Sequence, residues 1–224
     1  MHVQAITPIH VTDAELARRQ ERYDTLAPPG ISVHLENLAS GSDIPRQLAT
    51  EDDITASDHA VRAWFAELDP TTVDIALPDC VLDPGLEGPE PLPVRSVGIT
   101  QLAAGVVASL GERFTAVARN RAIADELDRI LRRYGHLNVE PTRVLDLSFE
   151  AIADHEVWND TVRTLTSELA STPIRRVLNG CSAVDVRPDR SGVTVFDPTR
   201  LALDVLALAH KHDLLVEQEV AADV

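Results

Sequence analysis

Short apolar runs alternate with longer amphipathic segments along the chain, and this alternation predicts strands that are each followed by a helix. The apolar runs are nearly continuous, so we expect a parallel sheet that is covered on both faces, in an α/β protein. The predicted strands are Val3–Ile6, Ile31–Leu35, Val73–Leu77, Val94–Ile99, Phe114–Val117, Arg143–Leu147, Ile174–Leu178 and Val193–Phe196. The predicted helices cover residues 13–26, 57–68, 100–110, 120–134, 149–170 and 197–212.

Two distant segments share one local pattern. Val73–Cys80 and Arg175–Cys181 each consist of an apolar strand that ends in leucine, two turn-forming residues and then a cysteine. This similarity predicts two related α/β lobes, each with a thiol just beyond the carboxyl end of a strand. Ligands bind at that edge in open α/β sheets.

The boundary between the lobes is predicted from composition. Asp83–Pro93 contains four prolines and two glycines, which is typical of a loop or a hinge. We assign residues 1–93 to the first lobe, together with the C-terminal helix at about residues 197–224. Residues 94–196 form the predicted second lobe.

Cys80 and Cys181 are the candidate catalytic residues. A free cysteine titrates near pH ~8.5, so modest stabilisation of the thiolate makes it a useful base. Two thiols on opposite sides of a substrate carbon can remove a proton from one face and return it to the other. The backbone N–H groups of Val81 and Ser182 would then stabilise the oxyanion. Two alternatives stay open at this point: cysteines that serve as packing residues, or a redox disulfide, although no Cys-x-x-Cys is present.

The composition of the chain limits the classes of partner and ligand that it is expected to bind. The chain has 20 Lys and Arg against 36 Asp and Glu, a formal charge of −16, which argues against binding to nucleic acid or to an anionic membrane. No apolar run is long enough to span a bilayer, and no signal peptide is visible, so we expect a cytoplasmic protein with reduced thiols. The eight histidines share no metal-ligand spacing, so no metal site is predicted.

At the cysteines the sequence resembles the hydantoin racemase branch of the aspartate/glutamate/hydantoin racemase superfamily. Val73–Glu87 resembles the first-cysteine motif, in which an apolar strand leads to Cys and then to Asp-Pro-Gly-Leu. Val177–Ala183 resembles the second motif, Val-Leu-Gly-Cys with small residues after it. Further similarity lies in Pro93–Ile99, Gly111–Val117 and Arg133–Gly135.

This resemblance carries expectations about structure and chemistry. It implies two pseudo-symmetric lobes, each a mostly parallel sheet covered by helices, with the active site at the lobe interface. It also implies that Cys80 and Cys181 are the proton-transfer pair, that no cofactor is needed, and that the protein is a homo-oligomer acting on a small molecule.

Several positions near the motifs depart from the family pattern. Thr7 stands where an asparagine is usual, and Ala118-Arg119-Asn120 replaces a Thr-Thr pair, so that Arg119 brings a charge if it points inward. A carboxylate at Asp79 would raise the pKa of the neighbouring thiol unless it is turned away. The residues expected to contact the substrate are Thr7, Asp79, Val81, Thr100, Asn120, Asn179, Gly180 and Ser182.

The function predicted from these observations is that of a cofactor-independent racemase or epimerase. It would act on the carbon next to a carbonyl of a small amino-acid-derived or hydantoin-like substrate. Two alternatives are a decarboxylase or cis–trans isomerase of a small diacid in the same superfamily, and a non-catalytic two-lobed binding protein. Decarboxylases of the family keep only the second cysteine, so Cys80 argues against that activity.

Overall fold

Strands and helices alternate along the chain, as the hydrophobic pattern predicts. The computed structural model describes residues 1–41, 43–136, 138–152, 155–187 and 191–215. The strands are β1 (His2–Ile6), β2 (Ser32–Glu36), β3 (Ile75–Pro78), β4 (Phe114–Ala118), β5 (Arg143–Val144), β6 (Arg176–Asn179) and β7 (Thr194–Phe196). The helices are α1 (Asp13–Leu26), α2 (Glu51–Ala66), α3 (Ile99–Ser109), α4 (Arg121–Arg133), α5 (His155–Leu169) and α6 (Pro198–Lys211), with a 3₁₀ turn at Glu150–Ile152.

The first sheet has the order β2-β1-β3, and its strands are parallel. Val3 in the central strand lies opposite Val33 on one side and Ile75 on the other. Every residue of β3 is buried, whereas the edge strand β2 alternates between exposed and buried positions. The continuous apolar runs therefore mark strands that are covered on both faces, as predicted.

The second sheet has the order β5-β4-β6-β7 and is also parallel. It repeats the first sheet, because β4 takes the place of β1 and β6 takes the place of β3. After β3, Ser96 forms a single parallel bridge with Ala76, in the position that β7 occupies beside β6. The predicted strand Val94–Ile99 is therefore reduced to one bridge. The two lobes place β3 and β6 in equivalent positions.

Helix α2 begins six residues before the predicted start at Ser57. The cause is a capping box, in which the Thr50 hydroxyl accepts the N–H of Asp53 and the Asp53 carboxylate accepts the N–H of Thr50 at 2.9 Å. The acidic residues of this segment thus cap a helix and complement its dipole. The predicted helix over residues 149–170 is divided into the 3₁₀ turn and α5.

The segment between the two sheets packs against the first sheet. Val94 lies in a core cluster with Ile6, and Ile99 of α3 lies in a cluster with Val3. Helix α6 adds Leu203 to the same cluster as Ile99. The lobe boundaries proposed from the sequence stay predictions, and residues 216–224 of the predicted C-terminal helix lie outside the described residues.

Across the residues that the structure describes, no helix combines the length and the apolar character needed to cross a membrane.

Candidate active site

Cys80 and Cys181 lie just beyond the carboxyl ends of equivalent strands. β3 ends at Pro78 and leads through Asp79 to Cys80, whereas β6 ends at Asn179 and leads through Gly180 to Cys181. Both cysteines are free thiols, and both line one cavity of about 70 Å³ between the lobes. Both cysteines therefore lie at a single site, and their action as a proton-transfer pair stays a prediction.

The cavity walls are mostly apolar. They include Ile9, Leu48, Leu82, Ile123 and Phe149, together with the three charged side chains described below. Such a surface excludes water and strengthens the electrostatic effect of the few charges that remain. In the described part of the chain, no group of three or more His, Cys, Asp or Glu side chains is placed to hold a metal ion.

Cys80 is buried, with only 6% of the residue exposed. Burial raises the pKa of this thiol well above its ordinary value, and the carboxylates of Asp79 and Asp83 raise it further. The backbone N–H of Leu82 donates to the sulfur at 3.4 Å, which lowers the pKa but does not offset the burial. The surroundings of Cys80 therefore favour the neutral thiol.

Cys181 has a different charge environment, although burial also raises the pKa of its thiol. The backbone N–H of Ala183 opposes this increase, as do the positive charges of Arg19 and Arg22, while Asp79 adds to it. Cys181 is also more exposed than Cys80. Since its neighbours include two arginines, the thiolate is better stabilised at Cys181 than at Cys80.

Asp79 is 2% exposed and has both carboxylate oxygens engaged. Arg19 donates to Oδ2 at 2.9 Å, and the Tyr23 hydroxyl donates to Oδ1 at 2.9 Å. Burial lowers the pKa of Arg19, but Asp79 and Glu15 more than offset this, so the net shift is upward and the guanidinium stays charged. Asp79 lines the cavity, yet its charge is directed to α1.

Asp83, in the Asp-Pro-Gly motif, anchors the Cys80 loop to α3. Its carboxylate accepts the N–H groups of Thr100 at 3.0 Å and Gln101 at 2.8 Å, and the Tyr134 hydroxyl at 2.9 Å. Burial raises its pKa to about 7, although these donors oppose the shift. A side chain at Gly98 would lie 2.2 Å from Asp83 Oδ2, so only glycine permits this approach.

Four of the predicted substrate contacts have structural partners instead of facing the cavity. Thr7 donates to Asn37 Oδ1 and accepts the N–H of Leu38. The Thr100 hydroxyl donates to the Val81 carbonyl at 2.6 Å. Asn120 caps α4 by accepting the Ile123 N–H, and it donates to the Leu48 carbonyl. The cavity itself is lined by the other four: Asp79, Val81, Gly180 and Ser182.

Asn179, the last of the four without a place in the cavity wall, closes the Cys181 loop. Its side-chain amide donates to the carbonyls of Cys181 at 2.9 Å and Val184 at 3.0 Å, and its oxygen accepts the Trp158 indole N–H at 3.0 Å. All three contacts fix the course of the chain around the cysteine. The residue therefore positions the thiol without a free donor for a substrate.

Gly180 lets this loop pass directly against β4. A Cβ at this position would lie 1.7 Å from the Val117 carbonyl oxygen, which no side chain tolerates. Glycine is thus required for the close approach of the two strand ends, and this approach brings Cys181 to the cavity.

Direct contacts tie the two cysteine loops together. The Ser182 hydroxyl donates to the Asp79 carbonyl at 2.9 Å, which links one loop to the other. Arg18 of α1 donates to the Ala183 carbonyl at 2.9 Å, and Arg22 of α1 forms an ion pair with Asp185 at 2.8 Å. Helix α1 of the first lobe therefore holds the Cys181 loop of the second.

Two arginines in the cavity wall are absent from the predicted contacts. Arg19 lies on α1, far from both motifs in sequence, and no motif indicated it. Arg119 follows β4, where the sequence indicated a charge if the side chain points inward, and it does line the cavity. Both residues are more than nine-tenths buried, at 6% exposed each.

No family model matches the chain, and no curated protein matches it. Its fold is the one shared by allantoin racemase, aspartate racemase, arylmalonate decarboxylase and maleate isomerase. The allantoin racemase of Pseudomonas fluorescens superposes with a TM-score of 0.79 at 17% identity, over 100% of both chains. That of Klebsiella pneumoniae gives 0.74 at 17% identity, over 100% of this chain and 96% of the other.

A Picrophilus torridus aspartate racemase gives a TM-score of 0.61 at 14% identity, over 96% of this chain and 98% of the other. The two-lobed α/β architecture predicted from the sequence is confirmed by these full-length matches. At this level of identity the comparison establishes the fold, and activity has to be argued from the site.

Proposed function

We propose that the protein is a cofactor-independent racemase or epimerase in which Cys80 and Cys181 exchange protons with a carbon next to a carbonyl group. The substrate is a small amino-acid-derived or hydantoin-like molecule, and a homo-oligomeric state is part of the proposal. The observation that carries it is the meeting of two thiols, from equivalent strand ends, in one cavity. The fold shared with racemases supports the same activity.

The reaction needs one thiolate and one thiol. We assign the thiolate to Cys181, because Arg19 and Arg22 favour its negative charge, and the thiol to Cys80, because Asp79 and Asp83 disfavour ionisation there. The Cys181 thiolate takes the proton from one face of the carbon. The Cys80 thiol then gives its proton to the opposite face, which leaves a thiol at Cys181 and a thiolate at Cys80. The other enantiomer reacts in the reverse direction.

The negative charge that develops on the substrate oxygen needs donors. Val81 and Ser182 both line the cavity, each next to a cysteine. The N–H groups one residue further on, at Leu82 and Ala183, interact with the sulfurs. We therefore assign the N–H groups of Val81 and Ser182 to the substrate oxygen, where preorganised donors contribute most to the rate.

Deuterium exchange tests whether each of the two thiols exchanges a proton with one face of the substrate carbon. Each enantiomer of a set of 5-substituted hydantoins and N-acylated amino acids is incubated in D₂O with wild-type protein and the variants Cys80→Ala and Cys181→Ala, and followed by ¹H NMR and chiral chromatography. Wild type should exchange and invert. Each variant should lose inversion, while deuterium enters only the enantiomer whose proton faces the remaining thiol, with retention of configuration.

The exposed Ser109→Ala serves as the control and should behave as wild type. Full racemisation by either cysteine variant would refute the two-thiol mechanism.

A further inference from the structure

Arg119 is a buried cation in the wall of the cavity. It directly follows β4, is 6% exposed, and lines the same cavity as the two cysteines. Its Nη2 donates to the Leu48 carbonyl at 2.9 Å, whereas its Nε is buried without a hydrogen-bond partner. A buried donor without a partner on a charged group costs free energy, so an acceptor that reaches this guanidinium would be bound favourably.

No carboxylate among the described residues forms an ion pair with Arg119. The exposed Glu150 acts on it only through longer-range charge, and burial lowers the pKa of Arg119. Arg19, the other arginine of the cavity, is paired with both Glu15 and Asp79. No carboxylate of the described residues therefore neutralises Arg119, and the anionic group of the cavity that acts on it is the thiolate proposed at Cys181.

The surroundings of Arg119 otherwise favour an apolar ligand. Its guanidinium lies 5.6 Å from the centre of the Phe149 ring, and Ile123 and Ile152 lie in the same wall. Arg119 and Cys181 line the same cavity, and the charge of a Cys181 thiolate acts on Arg119. An anion held by this arginine would therefore share the cavity with that cysteine. A substrate with one negative group and an apolar remainder fits this arrangement.

We infer, on the basis of the proposed function, that Arg119 binds a carboxylate of the substrate and that the substrate carries no free ammonium group. Asp79 is the only carboxylate among the described residues of the cavity wall, and Arg19 and Tyr23 occupy both of its oxygens. An ammonium group would therefore be buried without a partner. Small N-acylated amino acids and other monoanionic carboxylates match the site better than free amino acids or neutral rings.

This assignment makes Arg119 a specificity-determining residue. A guanidinium beside the carboxylate also stabilises the additional negative charge that the carboxylate gains when the neighbouring carbon loses its proton. A neutral ring substrate would offer Arg119 no carboxylate, so the unpartnered Nε would lack a charged acceptor.

Isothermal titration calorimetry tests the inference without relying on turnover. The probes are N-acetylalanine, N-acetylvaline, their uncharged amides, and free alanine. The wild-type protein should bind an acid about 10- to 100-fold more tightly than its amide, as expected for a buried charge-assisted contact. Arg119→Gln should abolish this preference, and Arg119→Lys should retain part of it because the charge remains.

Arg121→Gln is the matched control, since Arg121 is a highly exposed arginine two residues away and lies outside the cavity wall. It should bind like wild type. Equal binding of acid and amide by the wild-type protein, no binding of either acid, or a preserved preference in Arg119→Gln would each overturn the inference. Free alanine binding as tightly as N-acetylalanine would overturn its second half.

The outcome is separable from that of the proposed function. The variants Cys80→Ala and Cys181→Ala keep the guanidinium and should retain the preference for acids. Racemisation of neutral hydantoins that requires both cysteines but is unaffected by Arg119→Gln would refute the role of Arg119 and leave the two-thiol mechanism intact.

Discussion

Asp79→Asn removes the buried negative charge that links α1 to the Cys80 loop. In the wild-type protein this carboxylate is 2% exposed and accepts one hydrogen bond from Arg19 and one from Tyr23, both at 2.9 Å. The asparagine side chain has the same shape, so the change removes the charge without altering the packing volume. It also turns one of the two acceptors into a donor that faces another donor.

The expected loss of stability follows from the burial of the pair. Removing one partner of a buried ion pair costs about 3–5 kcal/mol, because it leaves the other charge uncompensated. Arg19 keeps its contact with Glu15 at 2.7 Å, so part of its charge stays neutralised. We therefore expect a decrease in the free energy of unfolding at the lower end of this range, about 3 kcal/mol.

Urea unfolding monitored by circular dichroism measures this decrease. Asp185→Asn is the matched control, because Asp185 also pairs with an arginine of α1, at 2.8 Å, but its side chain is 60% exposed. The control should lose at most about 1 kcal/mol. Equal losses in the two variants would show that the Asp79 pair does not behave as a buried one, and the reasoning would be wrong.

The same variant has a second expected effect. Asp79 raises the pKa of both thiols, so its neutralisation should move the pH profile of iodoacetamide alkylation to lower pH. An unchanged profile would contradict the electrostatic description of the cavity.

Two further predictions concern the loops that carry the thiols. Gly180→Ala should destabilise the protein by about 3 kcal/mol in urea unfolding, the upper end of the usual cost of overpacking, because the new Cβ would meet the Val117 carbonyl; unchanged stability would contradict this. Burial raises the pKa of Asp83 to about 7 in the folded protein, against ~3.9 when unfolded, so the folded state binds its proton more tightly. Stability should therefore fall as the pH rises from about 4 to about 7, and Asp83→Asn should flatten this slope.

The strand-end thiols were predictable because their signal is local. An apolar strand, a two-residue turn and a cysteine occur twice, and parallel strands bring their carboxyl ends to one edge. Cys80 and Cys181 consequently line one cavity. The polar neighbours were less predictable. Thr7, Asn120 and Asn179 stand where a substrate contact was expected, but the same donors and acceptors serve equally well to satisfy loop backbone and to cap helices.

Arg19 on α1 shows another limit of prediction from sequence, because a buried charge can be recognised while its partner cannot. Leu16, Arg19, Tyr23 and Leu26 follow the three- and four-residue spacing of one helix face, so a charged residue interrupts an otherwise apolar stripe. That interruption is a signal of a buried, paired charge. Its partner Asp79 could not be identified from the sequence, because the contact depends on how α1 packs against the end of β3.

The unequal charges around the two thiols have a thermodynamic consequence for a racemase. Mirror-image substrates have equal free energies in water, so the equilibrium constant is one and the kcat/KM values for the two enantiomers must be identical. In the proposed mechanism, the arginines near Cys181 and the carboxylates near Cys80 make the two half-reactions different. Any difference in kcat between the two enantiomers must therefore be matched by an equal ratio between their KM values. The enantiomer with the higher kcat has the higher KM.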